Sequence, residues 1–200
     1  MITSIVNFPI INSQNINFLN GRHIKIAGDN KDIFENQRNA MLAQITNALK
    51  SVGVKAKKKN DNSITVFGLN KISHYKNGVC NGIPLSADYI LQFTREIQGS
   101  TNFGAIGATT LGKVKTMQKT ALGGSKFDIS TSEILSLGRL EKVDGSLIIN
   151  TKQLDKMNFE GLEVTGDIIV ATNLHGKNNY KKLDKYHKNA LLAGFNLLTY

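Results

Sequence analysis

The chain has 200 residues, 40% of them apolar and 20% charged, a formal net charge of +10 and one cysteine. That length fits one ordinary domain or two small ones, and the apolar share is enough for a real core, which excludes global disorder. No apolar run approaches the ~18 residues needed to span a bilayer, MITSIVNFPII has neither a basic n-region nor a small-residue cleavage site, and Cys80 alone builds no disulfide framework, so no membrane span, signal peptide or oxidising compartment is expected.

Residues 4–28 hold short apolar clusters (SIVNFPII, INFL, HIKIAG) separated by Asn, Gly and Pro, which read as short strands with tight turns. DNKDIFENQRNAMLAQITNALKSVG then reads as a helix. Asp32 and Glu35 have capping-box spacing, Phe34, Met41, Leu42, Ile45 and Leu49 share one face, and Gly53 is the stop. In VGVKAKKKNDNSITVFG, alternation at Val52, Val54 and Ala56, and again at Ile64 and Val66, predicts a β-hairpin around the polar NDNS. Lys57, Lys58 and Lys59 end its first strand. They fit either a solvated hairpin tip or contact with phosphate or an acidic partner. This helix and hairpin resemble the helix-plus-hairpin unit of enolpyruvyl transferases, a local likeness without their substrate-binding lysine and arginine motifs. Residues 70–83 read as irregular structure or short strands. PLSADYILQFTREIQG reads as a second helix, with Ser86 as N-cap, Ile90, Phe93 and Ile97 as its buried stripe and Gly99 as its end.

Residues 99–124 are rich in glycine, carry Lys113, Lys115 and Lys119, and hold no acidic residue. This composition predicts a long, flexible, basic loop or linker, a kind of segment that is usually functional or ordered by a partner. Within it, GATTLGKV (107–114) is one residue away from the phosphate-binding pattern G-x-x-x-x-G-K-[ST]. Val114 stands where a hydroxyl would hold Mg²⁺, no buried strand precedes the loop, and no later strand ends in Asp. A nucleotide site is therefore not expected.

The C-terminal half repeats itself. VDGSLIINTKQL (143–154) aligns with VTGDIIVATNLH (164–175): Val143 with Val164, Gly145 with Gly166, Leu147 with Ile168, Ile149 with Val170 and Thr151 with Thr172. GSKFDISTSEI (124–134) fits the same frame one residue out, with Phe127, Ile129 and Thr131 in the places of Leu147, Ile149 and Thr151. A period of about 21 residues with one short strand per unit is a solenoid signature. LGRLEKVDGSLIIN and FEGLEVTGDIIVATNL resemble the degenerate leucine-rich-like repeats of tailed-phage proteins, over about residues 125–176. The resemblance implies parallel strands in a short solenoid-like stack and a virion or assembly role. Two or three units are few, so the stack must lean on the rest of the chain or on another chain. FDISTSEI is superficially similar to the serine–threonine–serine strand of ADP-ribosyltransferases, but no Glu-x-Glu or Gln-x-Glu follows it.

Leu183, His187, Leu191, Gly194 and Leu198 recur at spacings of four, four, three and four in KNNYKKLDKYHKNALLAGFNLLTY. They predict a basic amphipathic helix over 177–200 that either caps the repeat or docks a partner, with Lys181, Lys182 and Lys185 among its cations. The basic excess is uneven. Residues 51–120 carry ten Lys/Arg against three Asp/Glu, 121–176 five against eight, and 177–200 five against one. Such patches suit a polyanion or an acidic surface, or serve solubility.

Catalytic chemistry has no visible home. His23, His74, His175 and His187 lack metal-ligand spacing, and nothing near Cys80 supplies a base. The fold class expected is α+β: a helix-plus-hairpin part over 1–98, the basic loop 99–124, a short parallel β repeat over 125–176 and the C-terminal helix. The function expected is a non-enzymatic structural or assembly protein, most like a tailed-phage virion component, found in the virion or the host cytoplasm. It would have no catalytic, cofactor-binding or metal-binding residues and no membrane partner. Its partners would be protein subunits, in a homo- or hetero-oligomer, with DNA as a further class. Candidate contacts are Lys57, Lys58, Lys59, Lys113, Lys115, Lys119, Lys181, Lys182 and Lys185. The alternative is a sequence-independent nucleic-acid-binding protein, with aromatic rings near lysines (Tyr75, Phe103, Tyr180) as stacking sites.

Overall fold

The computed structural model describes residues 30–60, 63–70, 79–80, 82–174 and 177–195. The strands expected over 4–28, and residues 71–78, lie outside them. The chain divides into two compact units, Met1–Ala40 and Met41–Tyr200. What is described of the first is the start of helix α1 (Asn30–Ser51), whose residues 35–38 are exposed. The helix begins two residues before Asp32, so Asp32 lies inside it and is not its cap.

In the second unit α1 buries Leu42, Ile45 and Leu49 of the expected stripe together with Ala48, with Met41 half-buried, while the Phe34 side chain lies outside what is described. It ends in a Schellman motif. Gly53 takes φ 77°, its N–H donates to the Lys50 carbonyl, and the Val54 N–H donates to that of Leu49. Strands β1 (Lys55–Lys58) and β2 (Ile64–Phe67) then form the expected antiparallel hairpin, with Ala56 opposite Val66. β3 (Val79–Cys80) and β4 (Ile83–Pro84) make a small ladder of their own.

The second helix is shorter than its sequence suggests. Ser86 caps α2 (Ala87–Leu91) as expected, but the chain turns at Gln92 and continues as strand β5 (Thr94–Gln98). Parallel pairing with β2 decides this, setting Val66 beside Ile97 and Phe67 beside Gln98. The Thr94 hydroxyl, fully buried, donates to the Ile90 carbonyl at 2.7 Å and seals the helix end. Ile90, Phe93 and Ile97 pack inward in either reading, so periodicity alone could not choose between helix and strand.

From β5 onward the strands fall alternately into two sheets. They are β6 (Thr101–Asn102), β7 (Thr116–Gln118), β8 (Lys126–Asp128), β9 (Lys142–Val143), β10 (Ser146–Asn150), β11 (Glu163–Val164) and β12 (Ile168–Leu174). A final strand, β13 (Lys177–Lys182), turns back antiparallel to β12. The larger sheet runs β1-β2-β5-β7-β9-β11 and the smaller β13-β12-β10-β8-β6. Both are mostly parallel, and with four described helices the class is mixed α/β. The residue pairs read from the repeat are neighbours in these ladders. Val143 lies opposite Val164, Leu147 opposite Ile168 and Phe127 opposite Leu147.

Residues 99–124 are not a linker. They supply β6 and β7, one to each sheet, and bury Phe103, Ile106, Ala108, Leu111, Val114 and Met117. Two of their glycines, Gly104 and Gly112, mark close backbone approach rather than freedom. A Cβ on Gly112 (φ 58°) would stand 2.4 Å from the Leu91 carbonyl oxygen. The C-terminal segment also departs from a single helix, because 177–182 is strand. Helix α4 (Lys185–Leu192) follows, capped by Asp184, with Leu191 buried and Leu183 and Leu192 packed on the core.

Polar side chains join one turn of chain to the next. Asn150 caps helix α3 (Thr151–Lys156) in a capping box with Gln153. Gln153 is fully buried, and its amide donates to the Ile129 and Ile134 carbonyls at 2.7 and 2.9 Å. Asn150 itself donates to the Ser130 carbonyl at 2.7 Å. Along the larger sheet Lys115 meets Glu141 at 2.5 Å, Lys142 meets Glu163 at 2.5 Å and Lys119 meets Asp144 at 3.4 Å. These pairs lie in solvent and contribute little to stability.

Candidate functional site

GATTLGKV is the sequence's nearest approach to a binding motif, and the fold fills it from within. Asp88, in the first turn of α2, accepts the Thr109 N–H at 2.8 Å, the Thr109 hydroxyl at 2.7 Å and the Thr110 N–H at 3.3 Å. Backbone amides of this loop that could cradle a phosphate thus already hold a carboxylate. Val114 is fully buried, while Thr109 and Lys113 are exposed.

The nine lysines singled out from the sequence do not converge. Lys57 and Lys58 lie exposed on β1, with Lys59 just beyond, at one end of the larger sheet. Lys113, Lys115 and Lys119 surround β7, three strands away, or about 14 Å at the ordinary strand spacing. Lys181 and Lys182 lie on β13, and Lys185 begins α4. Several are neutralised: Lys59 by Glu96 at 3.8 Å, Lys115 by Glu141, Lys119 by Asp144, and Lys182 by Asp167 at 2.8 Å. Lys57, Lys113, Lys181 and Lys185 make no ion pair with another described residue.

β1 and β13 share a design. Each is an antiparallel, lysine-bearing strand that closes the outer edge of a largely parallel sheet. Lysine on an edge strand obstructs pairing with the edge of another molecule. That role accounts for Lys57 and Lys58 without a ligand. It covers β13 less completely, because all six β13 residues are exposed and Tyr180 and Tyr186 stand out at 57% and 78%. With Lys177, Lys181 and Lys185 they make this terminal edge basic and aromatic, strand alternation turning Tyr180 to the opposite side of β13 from Lys177 and Lys181.

Beside that edge, α3 and the end of α4 enclose a groove of about 450 Å³. Its floor is Leu154, Met157, Phe159 and Leu191. Asp155, Lys156 and Asn158 line it as well, and Phe195 stands at its rim, 67% exposed. No local motif announces this groove, because α3 and α4 are far apart in sequence.

The perturbed titrations are structural. Tyr89 is pushed up by burial against its neighbours, among them the tilted ring of Phe93. Asp144 is held below the usual carboxylate range by the Thr165 hydroxyl and then by Lys119. Asp184 is held low by the His187 backbone N–H and then its ring. Among the described residues no three His, Cys, Asp or Glu side chains group as metal ligands, and no helix is long and apolar enough to cross a membrane. No family model matches the chain, and comparison with curated proteins and with solved structures finds no similar one.

Proposed function

We propose that this chain is a non-enzymatic structural or assembly protein. In this reading the alternating strands are coils of a short solenoid-like stack, akin to the leucine-rich-like repeats of tailed-phage proteins. The chain serves as a virion or assembly component, in the particle or the host cytoplasm, that contacts other protein subunits. One observation carries the reading. The buried Gln153 and the half-buried Asn150 and Asp88 spend their polar groups on joining one stretch of chain to another, while basic side chains and the apolar Leu122 and Phe195 stand outside. Sedimentation velocity of the purified chain tests it, with species heavier than the 21.9 kDa monomer expected. A chain that stays monomeric and turns over a nucleotide or sugar substrate contradicts it.

A second reading rests on the terminal edge. Lysines on an exposed strand beside Tyr180 and Tyr186 suit sequence-independent binding of nucleic acid, with rings stacking on bases and lysines on phosphates. Mobility shifts across a salt series test it. Binding should weaken steeply with salt, and absence of any shift at ~50 mM salt contradicts it.

A further inference from the structure

The connections that pass from the larger sheet to the smaller are short in three cases, 99–100, 144–145 and 165–167. The fourth, 119–125 between β7 and β8, is an excursion. At its tip Thr120 and Gly123 close a tight turn, residues 119–124 are all exposed, and Leu122 is 99% exposed, more than any other large apolar residue described. Insertions into one unit of a repeat mark its binding face. Lys126, at the base of this turn, is exposed and makes no ion pair with another described residue.

The groove between α3 and α4 offers this turn an apolar site with two carboxylates in and beside it, Asp155 and Glu160, against one cation, Lys156. It offers Leu154, Met157, Phe159 and Leu191 as an apolar floor and Phe195 as a wall. Asp155 and Glu160, both exposed and without an ion pair to a described residue, stand at and beside it, with the Glu160 carboxylate next to Gly194. Chain order places the two features on opposite edges. The β7–β8 turn belongs to the edge where chain passes from the larger sheet to the smaller. α3 begins where β10 ends, on the edge where chain passes back.

We infer that the Leu122 turn of one copy of this chain docks in the α3–α4 groove of the next, with Lys126 facing Asp155 and Glu160. Knob and groove on opposite edges cannot both serve the same pair of copies. The contact is therefore head-to-tail, and it propagates into a ring or a filament rather than stopping at a two-fold dimer. The inference rests on the assembly reading and specifies the partner as a second copy.

The test uses two variants of the full chain at exposed positions, Leu122→Asp and Phe195→Lys. Circular dichroism melts confirm that each still folds. Sedimentation equilibrium of the unaltered chain shows species growing with concentration beyond a dimer. Each variant alone loses one half of the contact and sediments as a monomer, with self-association weakened at least about tenfold, the scale expected when a leucine side chain is no longer buried. Mixed together, they form a 1:1 heterodimer and nothing larger, because the Phe195→Lys copy keeps its knob and the Leu122→Asp copy keeps its groove. Self-association that persists in both variants overturns this contact while leaving the assembly reading standing. An unaltered chain that stays monomeric at millimolar concentration, or a mixture that stays monomeric, overturns the contact outright.

Discussion

Gln153 is the side chain on which the account of the stack can be tested most sharply. It is fully buried and makes three hydrogen bonds outside its own backbone. Its amide donates to the Ile129 and Ile134 carbonyls, and its oxygen accepts the Asn150 N–H at 2.8 Å. Gln153→Met keeps the side chain's bulk but removes all three bonds. It leaves the Ile134 carbonyl and the Asn150 N–H without this partner, while the Ile129 carbonyl keeps the Ser132 N–H at 3.0 Å and the Ser132 hydroxyl at 2.7 Å. At about 1 kcal/mol for each lost bond the cost is roughly 3 kcal/mol. Gln153→Ala adds a cavity and should cost about 1–2 kcal/mol more. Against a total stability of about 5–15 kcal/mol, either loss is large. Urea unfolding followed by circular dichroism measures both, with an unchanged denaturant slope as the check that the folded and unfolded states are otherwise the same. A Gln153→Met variant that loses less than about 1 kcal/mol would refute the reasoning, because the Ile134 carbonyl and the Asn150 N–H would then have found other partners.

Four further outcomes follow from the same geometry. Gly166→Ala places a Cβ 2.5 Å from the Gly145 carbonyl group, so it should destabilise by about 1–3 kcal/mol, measurable in the same urea titration. Thr65→Val removes a buried hydroxyl that has no partner among the described residues, and it should raise stability by about 1 kcal/mol. Asp88→Ala should free the Thr109 and Thr110 amides, seen as faster hydrogen exchange at those two positions, without creating affinity for a nucleotide. The folded-state lowering of Asp144 means that its contribution is present above the unfolded carboxylate range, about pH 4, and is lost as pH falls through its lowered folded value. Asp144→Asn should therefore flatten the acid limb of the stability profile, and an unaltered limb would contradict that assignment.

Much of the strand register is legible in the chain. Gly145 sits at φ 149° and a Cβ there would meet the Ser125 carbonyl oxygen at 2.4 Å, so glycine recurs where successive turns touch. The alternating Leu, Ile and Val that follow identify the inward face. The same physics misleads over 99–124. Glycine there reads as looseness, yet Gly104 and Gly112 are small because Thr131 and the Leu91 carbonyl press on them. β5 was hidden for another reason. Its buried residues satisfy a helical stripe and a strand equally well, and only pairing with β2, 30 residues earlier in the chain, decides between them. The lysines were visible, but their partners were not. Lys115 finds Glu141 and Lys182 finds Asp167 only through folding. Leu122 carries no signal in the sequence, since an exposed leucine and a buried one are spelled alike. Its exposure emerges only once the turn is seen to project.

The most direct measurement of the assembly reading is copy number. Extracts of the native source are separated on a density gradient, and the chain is quantified in each fraction by mass spectrometry against isotope-labelled standards. The account predicts that it migrates with large particles at a fixed number of copies per particle, resistant to a high-salt wash. A chain found only in the slow-sedimenting fractions, or in particles at a ratio that varies with the wash, would contradict it.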